Sequence, residues 1–120
     1  MKRYVLLFIF SSSVLAHGHW PQNVKPRYVF TNVYEMEFTL SNYFRKKTCF
    51  DIEINGQIYA PYGACLASGT SKEMSVWVPS PPDVETTNKV CSVARNNGSI
   101  RTRMCTTAKT LFPYSKLKGK

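Results

Sequence analysis

The chain has 120 residues, which suits one domain with a single core. Its net charge is +9, and both histidines fall before residue 20, so a serine or cysteine triad has no base in the body of the chain. Four cysteines, an even count, point to a disulfide framework and to an exported protein.

Residues 1–16 read as a secretory signal. Lys2 and Arg3 form a basic start, Tyr4–Phe10 a short apolar run, and Val14-Leu15-Ala16 a small-residue end suited to signal peptidase. The apolar run is too short to span a bilayer, and no second long one follows. The expected product is periplasmic or extracellular, has no transmembrane span after cleavage and begins at His17.

Such cleavage would put His17-Gly18-His19-Trp20 at the amino terminus. A free amine, two amide nitrogens and a third-position imidazole can hold Cu(II) or Ni(II) in a square plane. His17 and His19 are therefore candidate metal ligands, and copper is the candidate cofactor. The run HGHW also resembles the mature start of lytic polysaccharide monooxygenases, in which the terminal histidine holds copper. That family needs a distant second histidine, and none follows His19 here.

Residues 17–27 contain Pro21 and Pro26 and little periodicity, so an extended lead-in is expected. The domain itself is expected over residues 28–112. Tyr28–Val33 is rich in β-branched and aromatic residues and reads as a strand. In Tyr34–Leu40, Met36, Phe38 and Leu40 share one face, as a half-buried strand requires. Asn42–Lys47 is a polar, basic loop. Cys49–Ile54 alternates again, with Phe50, Ile52 and Ile54 on one face. Asp51 and Glu53 fall on the other, as solvent-facing partners of lysines rather than a catalytic carboxylate pair. Asn55-Gly56 is the pair favoured in a type I′ turn, so Gln57–Tyr59 should return as a short strand.

Pro61–Ala64 reads as a loop and Ser68-Gly69-Thr70 as a turn. Lys72–Val78 is the next strand, with Met74, Val76 and Val78 inward and Trp77 outward. The prolines of Pro79–Pro82 stop it. Lys89–Ala94 and Ser99–Thr107 form a hairpin through Asn96-Asn97-Gly98, which brings Cys91 and Cys105 opposite one another. Of the three possible pairings, Cys49–Cys65 with Cys91–Cys105 joins neighbours in sequence and is expected. Asn97-Gly98-Ser99 matches a glycosylation sequon, although the turn alone explains its Asn-Gly pair. Residues 113–120 look like a basic tail.

No stretch carries a helical apolar stripe. Six or seven short strands separated by turn signals argue for an all-β sandwich. The runs EFTLSN, CFDIEING and LASGTSKEMSVWV resemble immunoglobulin-like domains of bacterial envelope proteins, including chaperone-like and adhesion-type modules. The resemblance covers about residues 28–107. It implies an immunoglobulin-like antiparallel β-sandwich of about seven strands, stapled here by disulfides. The Cys…Trp…Cys arrangement of true immunoglobulin cores is not reproduced, because Trp77 lies between the wrong partners.

Charge is uneven along the chain. Residues 17–85 carry six basic and seven acidic side chains, whereas residues 86–120 carry eight basic ones and no acid. The expected function is a non-catalytic protein-interaction module, with no catalytic residue. It would be an accessory or assembly subunit of a secretion, conjugation or surface-appendage complex, with a protein partner in the cell envelope. Trp77, Arg101, Arg103 and Lys109 are the candidate contact residues. The alternatives are a copper-binding exported protein and a basic binder of anionic lipid, polysaccharide or nucleic acid. Nucleic acid is the least expected of these partners.

Overall fold

Alternating side chains give each long strand an apolar face, and stacking two sheets buries both sets of faces. The computed structural model describes residues 17–95 and 102–118. It contains β1 (His17–Trp20), β2 (Asn23–Tyr28), β3 (Val33–Asn42), β4 (Thr48–Ile54), β5 (Gln57–Ile58), β6 (Ala64–Leu66), β7 (Ser71–Pro79), β8 (Thr86–Arg95) and β9 (Arg103–Leu111). A single helical turn, α1 (Tyr114–Leu117), follows. One sheet has the order β1-β3-β7; the other has β2-β9-β8-β4-β5, with β6 also paired to β4. The named strands pair antiparallel except β2, which runs parallel to β9.

The core lies between the sheets. Met36, Phe38 and Leu40 of β3 and Val76 and Val78 of β7 belong to one buried cluster with Phe50 and Ile52 of β4 and Val90 and Ala94 of β8. Each large member stabilises the fold by about 1.5–3 kcal/mol. Asn55 and Gly56 have φ of 51° and 87°, the left-handed pair that a type I′ turn demands. The Asn55 side chain also reaches β8: its Nδ2 donates to Asn88 Oδ1 (2.9 Å), and its Oδ1 accepts from the Lys89 N–H (2.9 Å). Asn42 is buried yet fully engaged, donating to the carbonyls of Lys46 and Leu66 and accepting from the Phe44 N–H.

Three expectations need correction. Residues 17–27 do not precede the domain; they supply β1 and most of β2, one strand to each sheet. Pro26 is tolerated because β2 is an edge strand whose register with β9 shifts between Val24 and Arg27. The strand expected over Tyr28–Val33 is instead the end of β2, the start of β3 and, between them, the connection 29–32, where Phe30 stands 71% exposed. The expected loop at Pro61–Ala64 is part of a 3-10 turn and the start of β6. Among the described residues there are nine strands where about seven were expected. The signal segment and the Asn97 sequon lie outside the described residues.

Both disulfides form as expected. Cys49–Cys65 and Cys91–Cys105 each join residues directly opposite one another on neighbouring strands, with Cα atoms 3.9 and 4.0 Å apart. The second encloses a span of 14 residues, worth about 3 kcal/mol of loop entropy. Replacing Cys91 and Cys105 together by alanine is expected to lower the unfolding free energy by about that amount. Urea unfolding of the double variant against the wild type measures it.

Candidate functional site

The least expected feature is polar and internal. In β1, His17 and His19 point inward and are almost fully buried, while Gly18 and Trp20 point outward. The His19 ring stacks on Phe38 with centroids 4.3 Å apart, and the His17 ring tilts against Phe50 at 5.1 Å. Ser92 of β8 lies between them. Its Oγ is 2.7 Å from His19 Nδ1 and 3.2 Å from His17 Nε2, and His17 Nδ1 is 2.7 Å from Thr102 Oγ1.

Two opposite proton relays satisfy all three contacts with both rings neutral, and one of them leaves no buried ring N–H without an acceptor. In that relay His19 Nδ1–H donates to Ser92, Ser92 donates to His17 Nε2, and His17 Nδ1–H donates to Thr102. A longer contact, 3.4 Å to the Met104 carbonyl, is the alternative for the Ser92 proton. His19 Nε2 then carries only a lone pair. It is the one buried side-chain nitrogen or oxygen without a hydrogen-bond partner among the described residues. Burial lowers the pKa of both rings; for His19, burial and then the neighbouring His17 bring it down to about 4.

This geometry overturns one expectation. Histidines do lie in the body of the domain. The square-planar copper arrangement, which starts from a free His17 amine, would require β1 to leave the sheet. It needs the amides of Gly18 and His19 and the His19 ring to curl around one point. Instead His17–Trp20 is extended and paired with Thr39–Asn42, and the His19 ring is inside the sandwich. Ser92 does touch both imidazoles, but Ser92, His17 and His19 are all buried away from solvent. Among the described residues no three His, Cys, Asp or Glu side chains are grouped to hold a metal ion.

Among the described residues expected to touch a partner, Trp77 lies on one sheet and Arg103 and Lys109 on the other. Trp77 stands on the outer face of the three-stranded sheet, 54% exposed. Arg103 and Lys109 are on β9 in the other sheet, and both are already paired. Arg103 grips Glu53 through Nε and Nη2, each at 3.1 Å, and Lys109 Nζ lies 3.0 Å from Glu85 Oε1. Arg95 likewise donates to Asp51 from Nε at 2.6 Å, and this contact raises its pKa. Asp51 and Glu53 are thus solvent-side partners of arginines rather than lysines. Arg101 lies outside the described residues.

What remains open is β7. It pairs with β3 on one side over its full length, and as an edge strand it has no strand on its other side among the described residues. Trp77 sits on that edge strand. The expectation that Trp77 faces outward was readable from alternation alone. That it borders a free edge depends on sheet order, which alternation does not encode.

The sequence matches no family description and no curated protein. The fold does have likenesses. The chain superposes on the periplasmic chaperone SfaE with a TM-score of 0.57 and 11% identity, over 79% of this chain and 57% of that one. It superposes on the ASH / PapD-like domain 7 of human CEP192 with a TM-score of 0.62 and 7% identity, over 92% of this chain and 95% of that one. The fold is therefore an immunoglobulin-like, PapD-like β-sandwich, and the chain spans little more than half the length of the chaperone.

The buried histidines make stability depend on pH. Their pKa values are lower in the folded state than the ordinary 6.5, so the unfolded chain binds the extra protons. Stability is expected to be full above about pH 6.5 and to fall as pH drops toward about 4. His19 alone should account for on the order of 3 kcal/mol across that range. Denaturant unfolding between pH 7 and pH 4 checks this, and His19→Leu is expected to flatten much of the slope.

Proposed function

We propose that this protein is an exported, non-catalytic protein-interaction module that engages its partner through the three-stranded sheet, at β7 and Trp77. The observation that carries this reading is a nine-residue edge strand, unpaired on its outer side among the described residues, with a half-exposed tryptophan. An edge of that length supplies backbone donors and acceptors to an incoming strand, and an exposed aromatic supplies contact area. Export is supported by two disulfides, by the signal-like first sixteen residues and by the likeness to a periplasmic chaperone domain. The same combination supports a role as accessory or assembly subunit of an envelope complex.

The competing reading, a basic binder of anionic polymers, has weaker support. Arg103 and Lys109 each hold a carboxylate, which lowers the charge they offer to a lipid or polymer. Copper binding has no support in the extended, inward-facing course of β1.

A photo-crosslinking residue at position 77, and separately at position 103, tests the reading in cells that export the protein. A discrete protein adduct at 77 and none at 103 is expected. An adduct only at 103, or at neither position, overturns it. Mass spectrometry of the envelope fraction is expected to find a chain that begins at His17; a full-length chain confined to the cytoplasm overturns the export part.

A further inference from the structure

The three-stranded sheet has a second vacancy, on the side away from β7. There β1 covers β3 only from Thr39 to Asn42, whereas β7 follows the other side of β3 from Val33 to Ser41. After Trp20 the chain crosses to the second sheet, where β2 pairs with β9. The Val33–Phe38 backbone is therefore without a strand on that side among the described residues. A groove of about 740 Å³ opens at this place, a size typical of binding sites. Trp20, Val24, Tyr34 and Phe38 give it apolar walls.

The charge of the groove is opposite to that of the protein. Glu35, Glu37 and Glu73 line it. None of the three forms a salt bridge among the described residues. The chain's other four acids are all engaged: Asp51 with Arg95, Glu53 with Arg103, Glu85 with Lys109, and Asp83 with the N–H and hydroxyl of Ser115. Arg27 is the one basic residue in the lining, and its guanidinium lies over the Tyr34 ring, 5.8 Å from the centroid. Glu35 and Glu37, two residues apart on one strand, project from the same face. Like charges gathered on a sheet repel, and cationic side chains on a neighbouring strand turn that repulsion into attraction.

We propose that this groove receives an extended segment of a partner polypeptide with lysine or arginine at alternate positions and apolar residues between them. Such a segment continues the row of β1 along β3. Its backbone pairs with Val33–Phe38, its basic side chains meet Glu35 and Glu37, and its apolar ones turn toward Tyr34 and Phe38. This is strand addition at a site separate from the β7 edge, and it rests on the reading of the protein as an interaction module.

The probe is the peptide acetyl-Lys-Val-Lys-Val-Lys-Val-Lys-amide, titrated into the purified disulfide-bonded protein by NMR. Amide shifts confined to β3 and β2 are expected, with binding weakened at least tenfold in Glu35→Lys/Glu37→Lys. A peptide N-methylated at alternate residues is expected not to bind. Amide shifts are expected to be absent from Val76–Pro79 of β7, which separates this site from the outer edge of that strand. No binding to the wild type overturns the proposal, and so does equal binding to the double-lysine variant or of the N-methylated peptide. Self-association of the protein that disappears in the double-lysine variant would put a second copy in the groove and overturn the assignment to a partner.

Discussion

Ser92 is the contact on which the arrangement of the two sheets turns. It belongs to β8 in the larger sheet, yet its hydroxyl meets both imidazoles of β1 in the smaller one. Polar groups inside a sandwich are costly unless each finds a partner. Here one hydroxyl serves two rings and Thr102 serves the remaining nitrogen of His17. The contact sets where β1 lies and where it ends. Just beyond β1, the Pro21 carbonyl accepts a hydrogen bond from Thr106 Oγ1, and the Gln22 carbonyl accepts one from the Thr107 N–H. The chain has changed sheets within these few residues. The half-covered β3, and the groove beside it, follow from that early crossing.

The two outer faces differ in kind. On the larger sheet, carboxylates and guanidinium groups neutralise each other across the strands: Asp51 with Arg95 and Glu53 with Arg103. The smaller sheet carries acids without such partners among the described residues, beside exposed aromatic rings. A protein with a net charge of +9 therefore presents an acidic, aromatic surface on one side. Net charge describes its long-range attraction, while the local face decides which groups fit at contact range. Most of the basic surplus sits at the other end of the chain, where Asp83 clasps Ser115 and holds the start of the tail.

Much of the sandwich was legible in the sequence, because alternation is a local property. Phe50 and Ile52, and Met36, Phe38 and Leu40, were assigned to the correct faces. Asn55-Gly56 specified its turn. Cys49 and Cys65, and Cys91 and Cys105, were paired by proximity. The first strand was missed for a physical reason. Its inward residues are imidazoles, which normally signal an outer face or a ligand site, and only Ser92 and Thr102, 73 to 85 residues away, make burial tolerable. Prolines hid β2 in the same way, since edge pairing to β9 is a long-range fact. The ion pairs of Arg103 and Lys109 were invisible too, because they span 50 and 24 positions of sequence and depend on which strands become neighbours.

The placement of the disulfides has a mechanical consequence. One links β4 to β6 and the other β8 to β9, so all four cysteines reinforce the larger sheet. The smaller sheet is held by hydrogen bonds and by the packing of its inner face alone. Under load the stapled sheet resists parting of the strands that its disulfides join. The strands of the smaller sheet can then part and close again without breaking a covalent bond, so yielding under load is confined to one half of the sandwich.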